Sequence, residues 1–175
     1  MTFYYIKGTP GSGKTTVRKE LERLGYEAHD ADDDDMGGPH NKLTNQRVTY
    51  PNKPSEQWYQ EHCYRLMPEA VRRLKKKAAN KTIFLCGTAS NEDEVWDLFD
   101  DVLFLSIDLE TLKSRILNRT NNDYGQQPHE MEEIIQKYHA DQEKCQRLSL
   151  TRIDATMPIQ DVIKEIINRA ESSKK

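Results

Sequence analysis

Two adjacent residues, Lys14 and Thr15, carry the kinds of group that bind a polyphosphate and a divalent cation. They end the segment GTPGSGKT at residues 8–15, which matches the phosphate-binding pattern G-x-x-x-x-G-K-[ST]. Lysine at this position can reach the β- and γ-phosphates of a nucleotide, and the following hydroxyl can ligate Mg²⁺. We therefore predict that this segment binds Mg²⁺ and ATP.

The rest of this loop is predicted to hold the phosphates with its backbone. Glycine lets the chain curl closely around an anion because no Cβ intervenes, and amide N–H groups at a helix N-terminus attract negative charge. The predicted nucleotide-binding residues of the loop are Gly8, Thr9, Pro10, Gly11, Ser12, Gly13, Lys14, Thr15 and Thr16.

An acidic run, HDADDDD at residues 29–35, follows the second predicted strand. Asp30 and Asp32 come where that strand ends, at the edge of the sheet that should also carry the phosphate loop. A carboxylate at this place can help to hold Mg²⁺ through water, or it can accept the proton of an attacking hydroxyl. We predict functional roles for these two residues and a solvated surface for most of the run.

Two arginines, Arg115 and Arg119, lie four residues apart on one face of a predicted helix that ends at a polar loop, residues 120–129. Guanidinium groups at this spacing can bind phosphate oxygens with paired hydrogen bonds. The alternative interpretation is a charged helix face in solvent. The loop that follows favours a catalytic role more strongly for Arg119 than for Arg115.

Short runs of β-forming residues alternate with helical patterns along the chain. The predicted strands are 3–6, 26–30, 82–86, 102–107 and 151–154, and the predicted helices after the phosphate loop include 56–79 (interrupted at Pro68), 110–119, 131–148 and 159–167. Residues 31–55 show little periodicity and are predicted as a long functional loop. This alternation predicts a three-layer α/β fold with a parallel sheet of five strands and ligands at their carboxyl ends.

The composition is that of one domain of 175 residues, of which 35% are hydrophobic and 31% charged. A net charge of −3 argues against a nucleic-acid partner, and no apolar run approaches the ~18 residues of a transmembrane helix. Because the first strand begins at residue 3, we expect no signal peptide, and three widely spaced cysteines indicate reduced thiols in a cytoplasmic protein. The sequence is compatible with a monomer and with a homodimer.

These features resemble the small P-loop kinases of the adenylate kinase and shikimate kinase grouping over nearly the whole chain. The resemblance is carried by GTPGSGKTT at 8–16, the D-x-D at Asp30 and Asp32, IFLCGTASN at 83–91, and the R-x-x-x-R that ends at Arg119. It implies the strand order 2-3-1-4-5 along the chain. It also implies one kinase domain, with an acceptor-binding lobe near 31–79 and a short lid near 119–129.

The resemblance further implies a role for each matching residue. Arg119 resembles the lid arginine, Asp30 the Mg²⁺-side carboxylate, and Asp32 the acceptor-binding carboxylate of shikimate kinases. Two turns complete the implied site: Gly87 and Thr88 replace the glycine turn of the acceptor pocket, and Ala155 and Thr156 fall where relatives contact adenine.

The chain departs from the pattern in several places. The third predicted strand lacks a terminal aspartate, which leaves Asp30 or Asp32 as the nearest substitute. The first arginine after the D-x-D is Arg47, beyond a long insertion. The chain has Cys86-Gly87-Thr88 where shikimate kinases usually have two or three glycines. The lid sequence, RTNNDYGQQ at 119–127, is short, as in the nucleoside and nucleotide kinase-like members, and has no cysteines for zinc.

The sequence favours an ATP-dependent phosphotransferase that acts on a small acceptor, with a nucleoside or nucleoside monophosphate as the first hypothesis. Tyr50 and Trp58 can stack on a base, and Arg47 can pair with a phosphate. The alternative acceptor is a non-nucleotide hydroxyl compound, such as a polyol or a sugar acid, which carboxylates and amides in 31–55 would recognise. A nucleotide-binding ATPase or switch without an acceptor is the third hypothesis.

Overall fold

The computed structural model describes residues 1–33, 35–52, 54–120 and 124–172. The strands are β1 (Phe3–Lys7), β2 (Glu27–Asp30), β3 (Gly37–Asn41), β4 (His62–Leu66), β5 (Ile83–Cys86), β6 (Asp101–Ser106) and β7 (Thr151–Asp154). The helices are α1 (Lys14–Arg23), α2 (Glu56–Glu61), α3 (Pro68–Lys77), α4 (Leu109–Asn118), α5 (Pro128–Arg147) and α6 (Ile159–Ser172).

The central sheet consists of five parallel strands in the order β2-β5-β1-β6-β7. Counted among the five predicted strands, this is the order 2-3-1-4-5, so the predicted α/β fold and its topology are confirmed. β1 lies in the middle and is buried along its whole length, as expected for a strand covered by helices on both faces. Its carboxyl end therefore opens at the centre of the edge where such sheets bind ligands.

Two apolar cores flank the sheet, and alternate residues of β1 point into opposite ones. Tyr4 and Ile6 pack with α1, α4 and α6, whereas Phe3 and Tyr5 pack with α3 and two 3-10 turns, Glu92–Glu94 and Trp96–Leu98. Lys7 continues the alternation on the side of Tyr5, where its ammonium group reaches Glu92. The strand thus carries a buried charge directly before the phosphate loop.

The sequence predicts a helix over 56–79 that kinks or divides into two helices at Pro68; a second helix does begin there, but the prediction is wrong for residues 62–66. α2 ends at Glu61, residues 62–66 form β4, and α3 begins at Pro68. β4 pairs antiparallel with β3, which lies inside the segment predicted as a long loop. The two strands form a hairpin sheet separate from the central one.

Hydrogen bonds to a distant turn explain why this segment leaves the helical path. Leu66 donates its backbone N–H to Asn91 Oδ1 at 2.8 Å and accepts from Asn91 Nδ2 at 3.1 Å. The carbonyl oxygen of Tyr64 accepts from Ser90 N–H at 2.8 Å. These partners satisfy backbone groups that an α-helix would pair internally, so tertiary contacts outweigh the local helical spacing.

None of the helices in the described ranges is long and apolar enough to cross a lipid bilayer.

Candidate active site

The phosphate loop connects β1 to α1, as its sequence predicts. Gly11 and Gly13 take positive φ angles of 84° and 100°, which only glycine adopts readily, and the N–H of Val17 bonds to the carbonyl oxygen of Gly13 at 2.9 Å. A Cβ at Gly8 would lie 2.5 Å from Ser12 Oγ. The loop is therefore tightly curled, and the amide end of α1 faces the space that it encloses.

Lys14 turns back onto the loop that contains it. Its ammonium group donates to the carbonyl oxygen of Gly8 and to that of Thr9, the latter at 3.2 Å. Burial lowers the pKa of Lys14, and the nearby carboxylates of Asp32 and Asp141 oppose this shift. A bound phosphate would replace the carbonyl oxygens as the partner of this cation.

Asp30 is the last residue of β2 and Asp32 comes two residues later, and the two carboxylates have different surroundings. Asp30 Oδ2 lies 3.4 Å from Arg18 Nε, and Asp30 Oδ1 accepts from the N–H of Asp32 at 3.1 Å. The carboxylate of Asp32 instead faces the cavity beside Lys14. Desolvation raises the pKa of Asp32, Asp30 adds to this shift, and Lys14 opposes it.

A cavity of about 530 Å³ lies over the phosphate loop. Predicted site residues that line it are Pro10, Gly11, Ser12, Gly13, Lys14, Thr15, Thr16, Asp32, Arg115, Arg119 and Ala155. Gly8 and Thr9 shape the loop from behind, through their bonds to Lys14. The structure therefore brings most of the predicted nucleotide-binding residues together around one space.

Arg115 links two walls of this cavity. Its guanidinium donates to the carbonyl oxygen of Ala155 at 2.8 Å, and Nη1 lies 3.5 Å from the carbonyl oxygen of Ser12. Thr156 donates its backbone N–H to Asp154 at 2.9 Å and does not line the cavity. Ala155 is thus the member of this predicted pair that faces the cavity.

The sequence did not identify four apolar residues that also line the cavity: Val17, Met157, Ile159 and Val162. Three of them come after β7, in or just before α6. The signal available in the sequence was the apolar spacing of this last helix, which we assigned to the core alone.

The predicted lid begins at Arg119, whose guanidinium donates to the carbonyl oxygen of Tyr124. Residues 121–123 of the predicted lid lie outside the described residues. Gly125 donates its backbone N–H to Glu130 Oε2 at 2.8 Å, which joins the lid to the first turn of α5. Tyr124 lines the cavity, and the sequence did not single it out as a site residue.

The hairpin side of the molecule meets the predicted lid through aromatic rings. The ring centroid of Tyr59 on α2 lies 5.8 Å from that of Tyr124, and the hydroxyl groups of Tyr59 and Tyr50 are 2.9 Å apart. Trp58, which the sequence suggested as a stacking residue, stacks instead on His62 at 4.6 Å.

The turn after β5 packs against both the phosphate loop and the acidic loop. Thr88 Oγ1 donates to the carbonyl oxygen of Gly8 at 3.0 Å. A Cβ added at Gly87 would overlap the side chain of Ala31, so only glycine fits there. Arg47 lies on the hairpin, where it donates to the carbonyl oxygen of Gly37 at 2.9 Å, and it is not a cavity residue.

The side chains around the cavity are compatible with Mg²⁺ bound largely by phosphate and water. Thr15 and Asp32 supply oxygen atoms of the kind that this ion prefers. Within the described residues there is no cluster of three or more His, Cys, Asp or Glu side chains that could hold a metal by itself. The predicted contribution of Asp30 would have to compete with its ion pair to Arg18.

Comparison with protein families gives a match over most of the chain. Residues 5–136 match the model of a family described as AAA domain. No curated protein matches the sequence significantly.

Solved structures of small kinases share the fold at low sequence identity. Shikimate kinase from Acinetobacter baumannii in complex with shikimate gives a TM-score of 0.60 at 19% identity, over 99% of this chain and 95% of that one. Deoxyadenosine kinase from M. mycoides with bound dATP gives 0.52 at 18% identity, over 97% and 99% of the two chains. A gluconokinase from Sinorhizobium meliloti gives 0.53 at 16% identity, over 94% and 88%.

Proposed function

This chain belongs to the AAA domain family, and we propose that it transfers the γ-phosphate of Mg-ATP to a small acceptor, a nucleoside or nucleoside monophosphate. The observation that carries the proposal is the shared cavity of Lys14 and Asp32. A phosphate-binding cation and a carboxylate with a raised pKa face the same space there. This is the pair of groups that transfer to a hydroxyl requires.

Each group has a defined task in this proposal. The loop amides and Lys14 bind the phosphates of ATP, Thr15 ligates Mg²⁺, and Mg²⁺ offsets the negative charge of the phosphates when it is bound. With a nucleoside acceptor, Asp32 accepts the proton of the attacking hydroxyl as its oxygen bonds to the γ-phosphorus and the bond from that phosphorus to the bridging oxygen breaks, which releases ADP. With a nucleoside monophosphate, a phosphate oxygen attacks and Asp32 has no proton to accept. Arg119 supplies positive charge from the lid, where charge on the transferred group develops.

The apolar wall and Arg115 are proposed to hold the base of ATP. Met157, Ile159 and Val162 offer a surface against which a planar ring can pack. Arg115 fixes Ala155 beside this surface through its carbonyl oxygen. Burial of the flat base against this apolar surface would favour ATP binding, and backbone groups of the loop that contains Ala155 are available to hydrogen-bond to the base.

An aromatic boundary favours a nucleoside over a polyol as the acceptor. Tyr124 lies between the cavity and Tyr59, and the Tyr59 hydroxyl is itself paired with Tyr50. Flat rings on the hairpin side of the cavity can stack on a base, whereas a polyol or sugar acid would be bound mainly by hydrogen-bonding groups. The fold is similar to that of kinases with either type of acceptor, so it does not distinguish a nucleoside from a sugar acid, and the proposal for the acceptor rests on these aromatic side chains.

The experiment that tests the proposal follows acceptor-dependent formation of ADP. The protein is incubated with Mg²⁺, ATP and one acceptor at a time: nucleosides, nucleoside monophosphates, polyols, or sugar acids. We expect ADP and a phosphorylated product only with nucleosides or their monophosphates. Transfer confined to polyols or sugar acids would refute the acceptor class, and ADP formation that no acceptor stimulates would refute the kinase itself.

A further inference from the structure

A group of four charged side chains, two of them buried and two half-buried, lies beside the candidate site, and the proposed mechanism does not use it. It consists of Lys7 at the end of β1, Glu92 in the 3-10 turn after β5, and Asp141 and Lys144 on α5. Lys7 and Glu92 are only 1% and 2% exposed, and their Nζ and Oε2 atoms are 2.7 Å apart. Lys7 Nζ also lies 3.4 Å from Asp141 Oδ1. We call these four residues the charge cluster.

Glu92 joins three structural elements through one carboxylate. Oε2 lies 3.2 Å from Lys144 Nζ on α5, in addition to its contact with Lys7. Oε1 accepts from the hydroxyl of Tyr5 on β1 at 3.2 Å and from the backbone N–H of Ala89 at 3.4 Å. β1, the turn after β5 and α5 therefore share a single acceptor.

Each of these elements carries a part of the candidate site. β1 leads directly into Gly8, whose carbonyl oxygen accepts from both Lys14 and Thr88. Ala89 is the residue after Thr88 in the turn. α5 starts at the lid, where its Glu130 holds the N–H of Gly125 at 2.8 Å. The charge cluster thus contacts the supports of the phosphate loop and of the turn after β5, and it contacts α5 about three to four helical turns beyond Glu130.

Stability alone does not account for such a cluster. Buried ion pairs lose hydration, and apolar side chains of similar volume often stabilise a fold equally well or better. A carboxylate differs from an apolar group because it fixes the direction and distance of every donor that it binds. The distinctive contribution of Glu92 is therefore the relative placement of three elements.

We propose that Glu92 is a positioning residue for phosphoryl transfer. Its carboxylate holds the base of the phosphate loop, the turn that contains Thr88, and α5 in the arrangement that transfer requires, and Glu92 itself touches neither ATP nor the acceptor. This inference rests on the proposed function, because the rate of transfer is its first readout.

The test compares two cluster variants, Glu92→Gln and Lys144→Met, with matched controls. Glu94→Gln removes a carboxylate from the same turn, where it pairs with Arg65 at 2.5 Å and is 46% exposed. Arg147→Met removes a cation from an exposed position on α5. We expect both cluster variants to lower kcat about tenfold or more, with the KM for ATP within about twofold of the unmodified protein. Both controls should keep kcat.

A conservative variant and a second measurement distinguish positioning from folding. Lys144→Arg retains the cation and should restore most of the kcat that Lys144→Met loses. Lys144 is 28% exposed, so its variants decide the matter if Glu92→Gln does not fold. Cluster variants that unfold more easily but keep kcat at the control level would overturn the proposal.

The second measurement needs no acceptor and no reaction. Amide hydrogen exchange of residues 8–16 and 87–91, without ATP, should be faster in Lys144→Met than in Arg147→Met, because the Glu92 carboxylate loses the donor on α5 that helps to hold it between the loop and the turn. Equal exchange in the two variants would overturn the proposal. If the unmodified protein transfers phosphate to no acceptor, the proposed function fails, and the exchange result still decides whether Glu92 positions the loop.

Discussion

Arg115 donates a hydrogen bond of 2.8 Å to the carbonyl oxygen of Ala155 and so ties α4 to the loop after β7. The same guanidinium lies 3.5 Å from the carbonyl oxygen of Ser12, so it also steadies the phosphate loop. The sequence assigned Arg115 to catalysis on the basis of its spacing from Arg119. Its contacts in the structure support a role in shaping the nucleotide site.

Arg115→Met should therefore weaken ATP binding more than it slows the reaction. We expect the Kd for ATP, measured by titration calorimetry, to rise about tenfold, which corresponds to about 1.4 kcal/mol. Lys113→Met, at an exposed position on the same helix, is the control and should bind ATP normally. An unchanged Kd with a much lower kcat would instead support the original catalytic assignment.

Lys14→Ala should abolish measurable phosphoryl transfer and weaken ATP binding, because the loop loses the cation that neutralises the transferred phosphate. The assay is ADP formation with the best acceptor, together with a direct ATP titration. Lys19→Ala, exposed on α1, controls for the loss of a nearby positive charge. Undiminished turnover in Lys14→Ala would show that this loop is not the reactive site.

The pH dependence of kcat should report the ionisation of Asp32. Its pKa is raised above the ordinary value of 3.8, chiefly by desolvation and also by Asp30. The carboxylate is the proton-accepting form, so kcat should fall as the pH drops through this raised pKa and level off above it. The rate should thus fall at a higher pH than it would if the aspartate had its ordinary pKa.

Asp32→Asn separates this carboxylate from the rest of the acidic run. It should lower kcat by roughly 10²-fold or more, remove the acidic limb of the profile, and change ATP affinity only modestly. Asp35→Asn, at an exposed position of the run, should leave both kcat and the profile intact. Equal and mild effects of the two variants would mean that the run is only a solvated surface.

Arg119→Ala should affect the transition state more than substrate binding, because negative charge near the lid grows during transfer. We expect kcat to fall roughly 10²-fold and the KM for ATP to change much less. Steady-state kinetics with the best acceptor measure both constants. A change confined to KM would make Arg119 a binding residue, and no change in either would contradict a lid role.

The sheet and the phosphate loop could be predicted because their signals are local. Each central strand is a short run of β-forming residues next to its own turn, and the loop residues from Gly8 to Thr15 are contiguous. The order of the strands then followed from the resemblance to small P-loop kinases. No long-range contact had to be identified to reach these results.

The hairpin and the charge cluster depend on contacts that a single sequence does not reveal. β4 forms because the backbone of Leu66 hydrogen-bonds to Asn91, twenty-five residues further along the chain. Cys63 and Met67 are four residues apart, a spacing that is typical of a helix, so the sequence alone predicts a helix here. Lys7 is the last residue of an otherwise apolar strand, and this position indicates a buried charge. Its partners Glu92 and Asp141 lie far along the chain, so only the fold identifies them.

The close approach of Gly87 to Ala31 has an evolutionary consequence. Because no side chain at 87 fits while residue 31 carries even a methyl group, the two positions cannot enlarge independently. Homologous chains with alanine at position 31 are expected to have glycine at position 87. In a pairwise mutational scan, Gly87→Ala should be harmful alone and less harmful together with Ala31→Gly, although the Cα and N of residue 31 would still lie 3.2 and 3.3 Å from the new Cβ.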